Sequence, residues 1–173
     1  MAEEITFDLQ SGNARAVFSR VIEALNDPSK GMRNVSLTLR ELVQDTFRDE
    51  TDPWGKPWPP HSPVTRELRQ RAGNFSVQKL VVRDGDPQSL YGSITEVSSD
   101  TTAGIEVGGN PGNYPEVHQF GNPNNLMFGG PAAPIPPRPF LPLKTNGDVD
   151  VPRDWFIALL APLEQFLDEA TDP

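Results

Sequence analysis

"LYGSITEVSSDTTAGIEV", residues 90 to 107, carries the two-residue rhythm of a β-hairpin. Tyr91, Ser93, Thr95 and Val97 alternate with Gly92, Ile94 and Glu96, which puts successive side chains on opposite faces of a strand. The polar run Ser98–Thr102 breaks the rhythm, and Ala103–Val107 resumes it. An antiparallel pair over Leu90–Val97 and Ala103–Val107 follows. Upstream the apolar residues recur at three- and four-residue steps instead. That change of period predicts an α+β chain, with helices segregated from one small antiparallel sheet.

Working back from the hairpin, residues 13–26 read as a helix capped at Asn13, with Ala14, Val17, Phe18, Val21, Ile22 and Leu25 on one face. Asn26-Asp27-Pro28 ends it. A second helix over residues 31–47 aligns Val35, Leu39, Leu42, Val43, Thr46 and Phe47. Two amphipathic helices across a short turn predict a helical hairpin within residues 13–49. Next comes "TDPWGKPWPPHSP", Thr51 to Pro63, where five prolines forbid regular helix. It reads as a stiff extended segment that Trp54 and Trp58 pin to a neighbouring surface. Ser62 and Thr65 start a short basic helix carrying Arg66, Arg69 and Arg71. Val77, Leu80 and Val82 fit a strand or a helical turn. The Pro-Trp segment and the hairpin together occupy residues 50–108.

Downstream, residues 109–145 form a long Pro/Gly-rich loop or arm, a length of irregular chain that is usually functional. "PAAPIPPRPFLPL" inside it reads as polyproline-like or as an edge strand, because proline cannot donate to a ladder. A C-terminal helix over residues 150–170, capped by Asp148 or Asp150, carries Trp155, Phe156, Leu159, Leu160, Leu163, Phe166 and Leu167, with a kink or break expected at Pro162.

Composition bounds the chemistry. The 173 residues contain no cysteine, which excludes disulfides, thiolate metal sites and cysteine nucleophiles. A net charge of -9 argues against wrapping nucleic acid, which needs clustered cations. No run is long and apolar enough for a membrane span, and the acidic start has no secretory character, so a soluble protein made in a cytoplasm is expected. Hydrophobic residues make up 36%, below the globular average, so contact with other subunits would complete a modest core.

Three constellations remain. Glu116 and His118 stand two apart, which on a strand puts both on one face and makes a hydrolytic acid/base pair conceivable, although no nucleophile-elbow pattern accompanies them. The basic stretch Arg66, Arg69, Arg71, Lys79 and Arg83 could meet phosphates or an acidic partner. Asp84-Gly85-Asp86 lacks the later ligands of a calcium loop and reads as a turn. No cofactor is implied by any of them.

Four stretches, in order, resemble the phage virion morphogenesis proteins, the tail-completion family of the phage Mu protein G type. They are "FRDETDPWGKPWPPHSPVT" (47–65), "LVVRDGDPQSLYGSI" (80–94), "GIEVG" (104–108) with the "YPEVHQFG" that follows (114–121), and "IPPRPFLPL" (135–143). The resemblance spans residues 47–143. It implies a non-catalytic virion protein at the head–tail junction, assembled in the host bacterial cytoplasm as a ring of six subunits, or twelve. Neighbouring neck, connector or tail-tube proteins would be its partners, and DNA would touch it only on passing through the ring lumen. His118, Gln119, Phe120, Gly121, Arg138, Pro139 and Phe140 are then an architectural motif. His118 and Gln119 would satisfy backbone groups of an irregular loop, Phe120 would bury, and Gly121 would permit a tight turn. Trp54, Trp58, Phe140 and Leu141 are candidate subunit contacts, and Arg66, Arg69 and Arg71 candidate electrostatic ones.

Overall fold

A computed structural model describes residues 12–71, 73, 80, 89–108, 114–123 and 134–171. Its elements are α1 (Gly12–Asn26), α2 (Ser29–Asp49), α3 (Pro63–Arg71), β1 (Ile94–Ser98), β2 (Ala103–Val107), α4 (Tyr114–Phe120) and α5 (Arg153–Thr171). The architecture is α+β, as the change of period predicts. Most of residues 73–82, Asp84-Gly85-Asp86, Lys79, Arg83 and the Arg69 side chain lie outside the described part.

β1 and β2 pair antiparallel, with Ile94 opposite Val107 and Ser98 opposite Ala103. Ser99 closes the turn: its Oγ accepts from the N–H groups of Thr101 and Thr102 at 3.2 and 3.1 Å. The first strand begins at Ile94, not Leu90. Residues 90–93 turn instead, and this drops Leu90, Tyr91 and Ile94 into one buried cluster.

α2 is the spine. Val43 and Phe47, one turn apart, are fully buried. Phe47 meets Trp58 at 5.5 Å and Tyr91 at 5.7 Å edge-on, and Phe140 at 5.3 Å in a tilted arrangement. Each such pairing contributes about 0.5–1.5 kcal/mol beyond the area it buries. One helix residue thus gathers the Pro-Trp segment, the hairpin entry and the RPFL stretch. Ser36 staples the hairpin to α2. Its hydroxyl lies 2.8 Å from the Val97 carbonyl and 3.2 Å from that of Met32, and accepts from Gly104 N–H at 3.1 Å.

α5 runs along α2. Gly31, inside α2 and not at its start, makes the approach possible, since a Cβ there would meet the Phe166 ring at 3.1 Å and Leu163 at 3.3 Å. α5 also continues unbroken through Pro162. The missing N–H removes one helical bond, and packing against α1 and α2 keeps the helix whole. Neither Asp148 nor Asp150 caps it, because α5 starts at Arg153 and the Phe156 N–H bonds the Pro152 carbonyl, which puts Pro152 at the cap position.

The two N-terminal helices stand in succession across the short turn at Asp27-Pro28, as expected. The main packing of α1 is on α5, so only part of its apolar stripe is covered. Val17 and Val21 are half-buried, whereas Phe18, Ile22 and Leu25 are 60%, 58% and 61% exposed.

Candidate functional site

"YPEVHQF" folds as α4, a seven-residue helix, and not as a strand or irregular loop. Pro115 suits a first turn, where its lacking N–H has no helical acceptor to miss. Gly121 ends the helix with φ +78, the left-handed conformation that glycine adopts without strain. A Cβ there would sit 2.9 Å from the Ile135 carbonyl and from the Pro137 ring, so the returning chain passes directly over this position. Asn122 and Ile135 exchange both backbone hydrogen bonds at 2.9 Å and bring that chain back.

Gln119 is the fastener. It is 3% exposed. Its Oε1 accepts from the N–H groups of Phe140 and Leu141, both at 3.0 Å, and its Nε2 donates to the Leu141 carbonyl at 2.9 Å. A single amide therefore substitutes for a strand partner, which the proline-bounded RPFL stretch does not have. One turn of chain earlier, Arg138 N–H donates to the His118 carbonyl at 2.7 Å. The Arg138 guanidinium is buried and donates to the carbonyls of Pro59 and Pro60, each at 3.3 Å. Trp58 closes the loop by donating its indole N–H to the Pro139 carbonyl at 2.8 Å. α4, RPFL and the Pro-Trp segment are in this way one clamp, seated on Phe47.

His118 lies beside this clamp. Burial, and secondarily the positive charge of Arg138, holds its pKa down at about 4, so it is neutral at neutral pH. On a helix, residues two apart point to nearly opposite sides. Glu116 is exposed while His118 is half-buried, so the same-face geometry that an acid/base pair needs is not formed.

The Pro-Trp segment is a folded turn and not an extended strip. The Asp52 carboxylate accepts from Trp54 and Lys56 N–H at 3.0 and 2.9 Å, Gly55 takes φ +82, and Trp58 N–H returns to the Glu50 carbonyl at 2.8 Å. Trp54 stands at the tip, 46% exposed. Trp58 and Phe140, expected as subunit contacts, are instead 3% and 0% exposed in the subunit's own core. Their rings have no free surface for a neighbour, because Phe47 supplies an internal one. Leu141 is half-buried, and Phe120 likewise.

The candidate electrostatic residues are elsewhere, on α3. Ser62 caps that helix, its Oγ accepting Thr65 N–H at 3.1 Å. Arg66 and Arg71 are exposed, and Arg71 pairs with Glu67 at 2.6 Å. Among the described residues no group of acids and histidines is arranged to hold a metal, and no helix is long and apolar enough to cross a membrane.

Sequence reasoning missed Phe47 as the hub and the Pro59 and Pro60 carbonyls as acceptors. The apolar period of α2 contained the first signal. The second had none, since any carbonyl can accept.

The clamp's three parts fall within three of the four stretches that carry the sequence resemblance, and the family model of the phage virion morphogenesis family matches residues 9–154. The chain belongs to the phage virion morphogenesis family. The match takes in every element from α1 to the first residues of α5. No curated protein and no solved structure matches the chain. Membership gives the protein a role in building the phage particle.

Proposed function

We propose that this family member is a structural, non-catalytic protein of the head–tail junction: a tail-completion or neck subunit that forms a homomeric ring. Six copies suit the symmetry of phage tails, with twelve the alternative. Neighbouring neck, connector or tail-tube proteins would lie above and below, and DNA would pass through the lumen. The observation that carries the non-catalytic reading is the use of the clamp's polar groups. The Gln119 amide, the Arg138 guanidinium and the Trp58 indole are all engaged in binding backbone, and Glu116 is exposed on a different side of α4 from the half-buried His118. Groups so engaged fix a shape and leave little to act on a substrate. Trp54, exposed at the tip of a hydrogen-bonded turn, is an aromatic available for a neighbouring protein. The head–tail location rests on family membership together with the motif series.

A phage lacking this gene, examined by electron microscopy of lysates, tests the reading. Filled heads and separate tails should accumulate, and plasmid-borne protein should restore joined particles. Joined, infectious particles without the protein would overturn it.

A further inference from the structure

We infer that α1 of one copy covers α5 of the next, head to tail, so that the two exposed apolar stripes form the contact between copies. The inference rests on the ring reading above and names the surfaces by which it would close.

Phe18, Ile22 and Leu25 fall at steps of four and three along α1, and so lie on one side of it. Phe156, Leu160 and Leu167 fall at steps of four and seven along α5, with Ile157 beside them. All seven are between 39% and 61% exposed. In each helix these residues lie next to the face already packed within the subunit. Each helix therefore has a wider apolar arc than its own chain covers.

Area and charge decide the occupant. At about 200 Å² per large side chain, these exposed fractions amount to roughly 350 Å² on each helix. One α1–α5 contact would then bury about 700 Å² of apolar surface, the apolar share expected for an interface near the lower end of the standard range, ~1,200 Å² in total. A second copy supplies that area with no new chemistry. The helices also differ in sign. α1 carries Arg15 and Arg20 against Glu23, whereas α5 carries Arg153 against Asp154, Glu164 and Asp168, with Glu169 already paired to Lys30 of its own α2 at 2.6 Å. α5 against α5 would oppose like charges. α1 against α5 sets a net basic helix on an acidic one, in a chain that is acidic overall. A contact between different patches is heterologous, the kind that generates rings.

The chain has no cysteine, so engineered thiols report contacts without background. Ile22→Cys is purified separately from Phe156→Cys, Leu160→Cys and Leu167→Cys, all exposed positions. Each is oxidised alone and in mixture with Ile22→Cys, with light scattering on the unmodified protein and on every variant. A disulfide dimer in at least one mixture, absent from the separate samples, is the expected result. An Ile22→Cys dimer alone would mean a symmetric α1–α1 contact and overturn the inference. So would assembled protein without any mixed cross-link, which leaves the ring reading standing. A protein that stays monomeric in solution, and whose variants do not cross-link within purified virions either, overturns the inference; single isolated copies in a map of the neck overturn the ring reading as well.

Discussion

Replacing Gln119 by leucine keeps the volume of the side chain and removes both ends of its amide. The Phe140 and Leu141 N–H groups lose an acceptor 3.0 Å away, and the Leu141 carbonyl loses a donor at 2.9 Å. Phe140 is fully buried, so no water takes over at its N–H. Leu141 is half-buried, and water restores part of what it loses. An unsatisfied buried group costs about 1–3 kcal/mol. Counting Phe140 in full and Leu141 in part gives about 3 kcal/mol, a large share of the ~5–15 kcal/mol by which domains are stable. With a urea slope of about 2 kcal/mol per molar, the midpoint should fall by roughly 1.5 M. Tryptophan fluorescence reads this directly, because Trp58 sits in the clamp and Trp155 in the core. Gln165→Leu, at an exposed amide on α5, is the control and should move the midpoint little. A Gln119→Leu shift no larger than that of the control would refute the claim that this amide holds the RPFL stretch.

Further outcomes follow from the same geometry. Gly121→Ala should destabilise by more than 2 kcal/mol, roughly, because it adds a backbone clash at 2.9 Å to the ~1–2 kcal/mol of left-handed strain; Gly55→Ala, at φ +82 with open space around it, should cost only the strain, and equal midpoint shifts would contradict this. His118 is held near pKa 4 in the folded chain and titrates near 6.5 when unfolded, so the unfolded state takes its proton first. Stability from this group is flat above pH 6.5 and falls as pH drops toward 4, by about 3 kcal/mol at most; His118→Gln should lose less stability than the unmodified protein between pH 7 and 4.5, as measured by paired urea titrations. Trp58→Ala should lose about 3–5 kcal/mol as a buried aromatic. Trp54→Ala should leave thermal stability unchanged and lower the yield of joined particles, and a normal yield in a complementation assay would remove Trp54 as a contact.

The hairpin and the long helices were legible because their periods are set by what each face touches. Ile94 and Val43 are where the alternation and the stripe put them. α1 shows the limit of such patterns. Its stripe is plain in the sequence, but the pattern does not distinguish an apolar side chain facing its own core from one facing another chain. α4 escaped because seven residues hold barely two turns, and the surrounding glycines, asparagines and prolines read as loop. Prolines also misled at the Pro-Trp and RPFL stretches. They exclude ladder donation, so both segments read as arms reaching outward. Proline carbonyls still accept, and Arg138 and Trp58 use those of Pro59, Pro60 and Pro139 to bring the segments inward. At Pro162 the local preference for a break yields to packing against two helices. Gln119 and Gly121 were legible as a motif through the family resemblance; the partners of Gln119 were not, because they lie 21 and 22 residues away.

The most direct test of the central claim is a symmetry-resolved electron-microscopy map of the phage neck. The account predicts a closed ring of this protein between head and tail, six-fold or twelve-fold, with Trp58 and Phe140 inside each subunit and Trp54 at a border with another protein. Isolated single copies at the neck, or a location away from the head–tail junction, would contradict it.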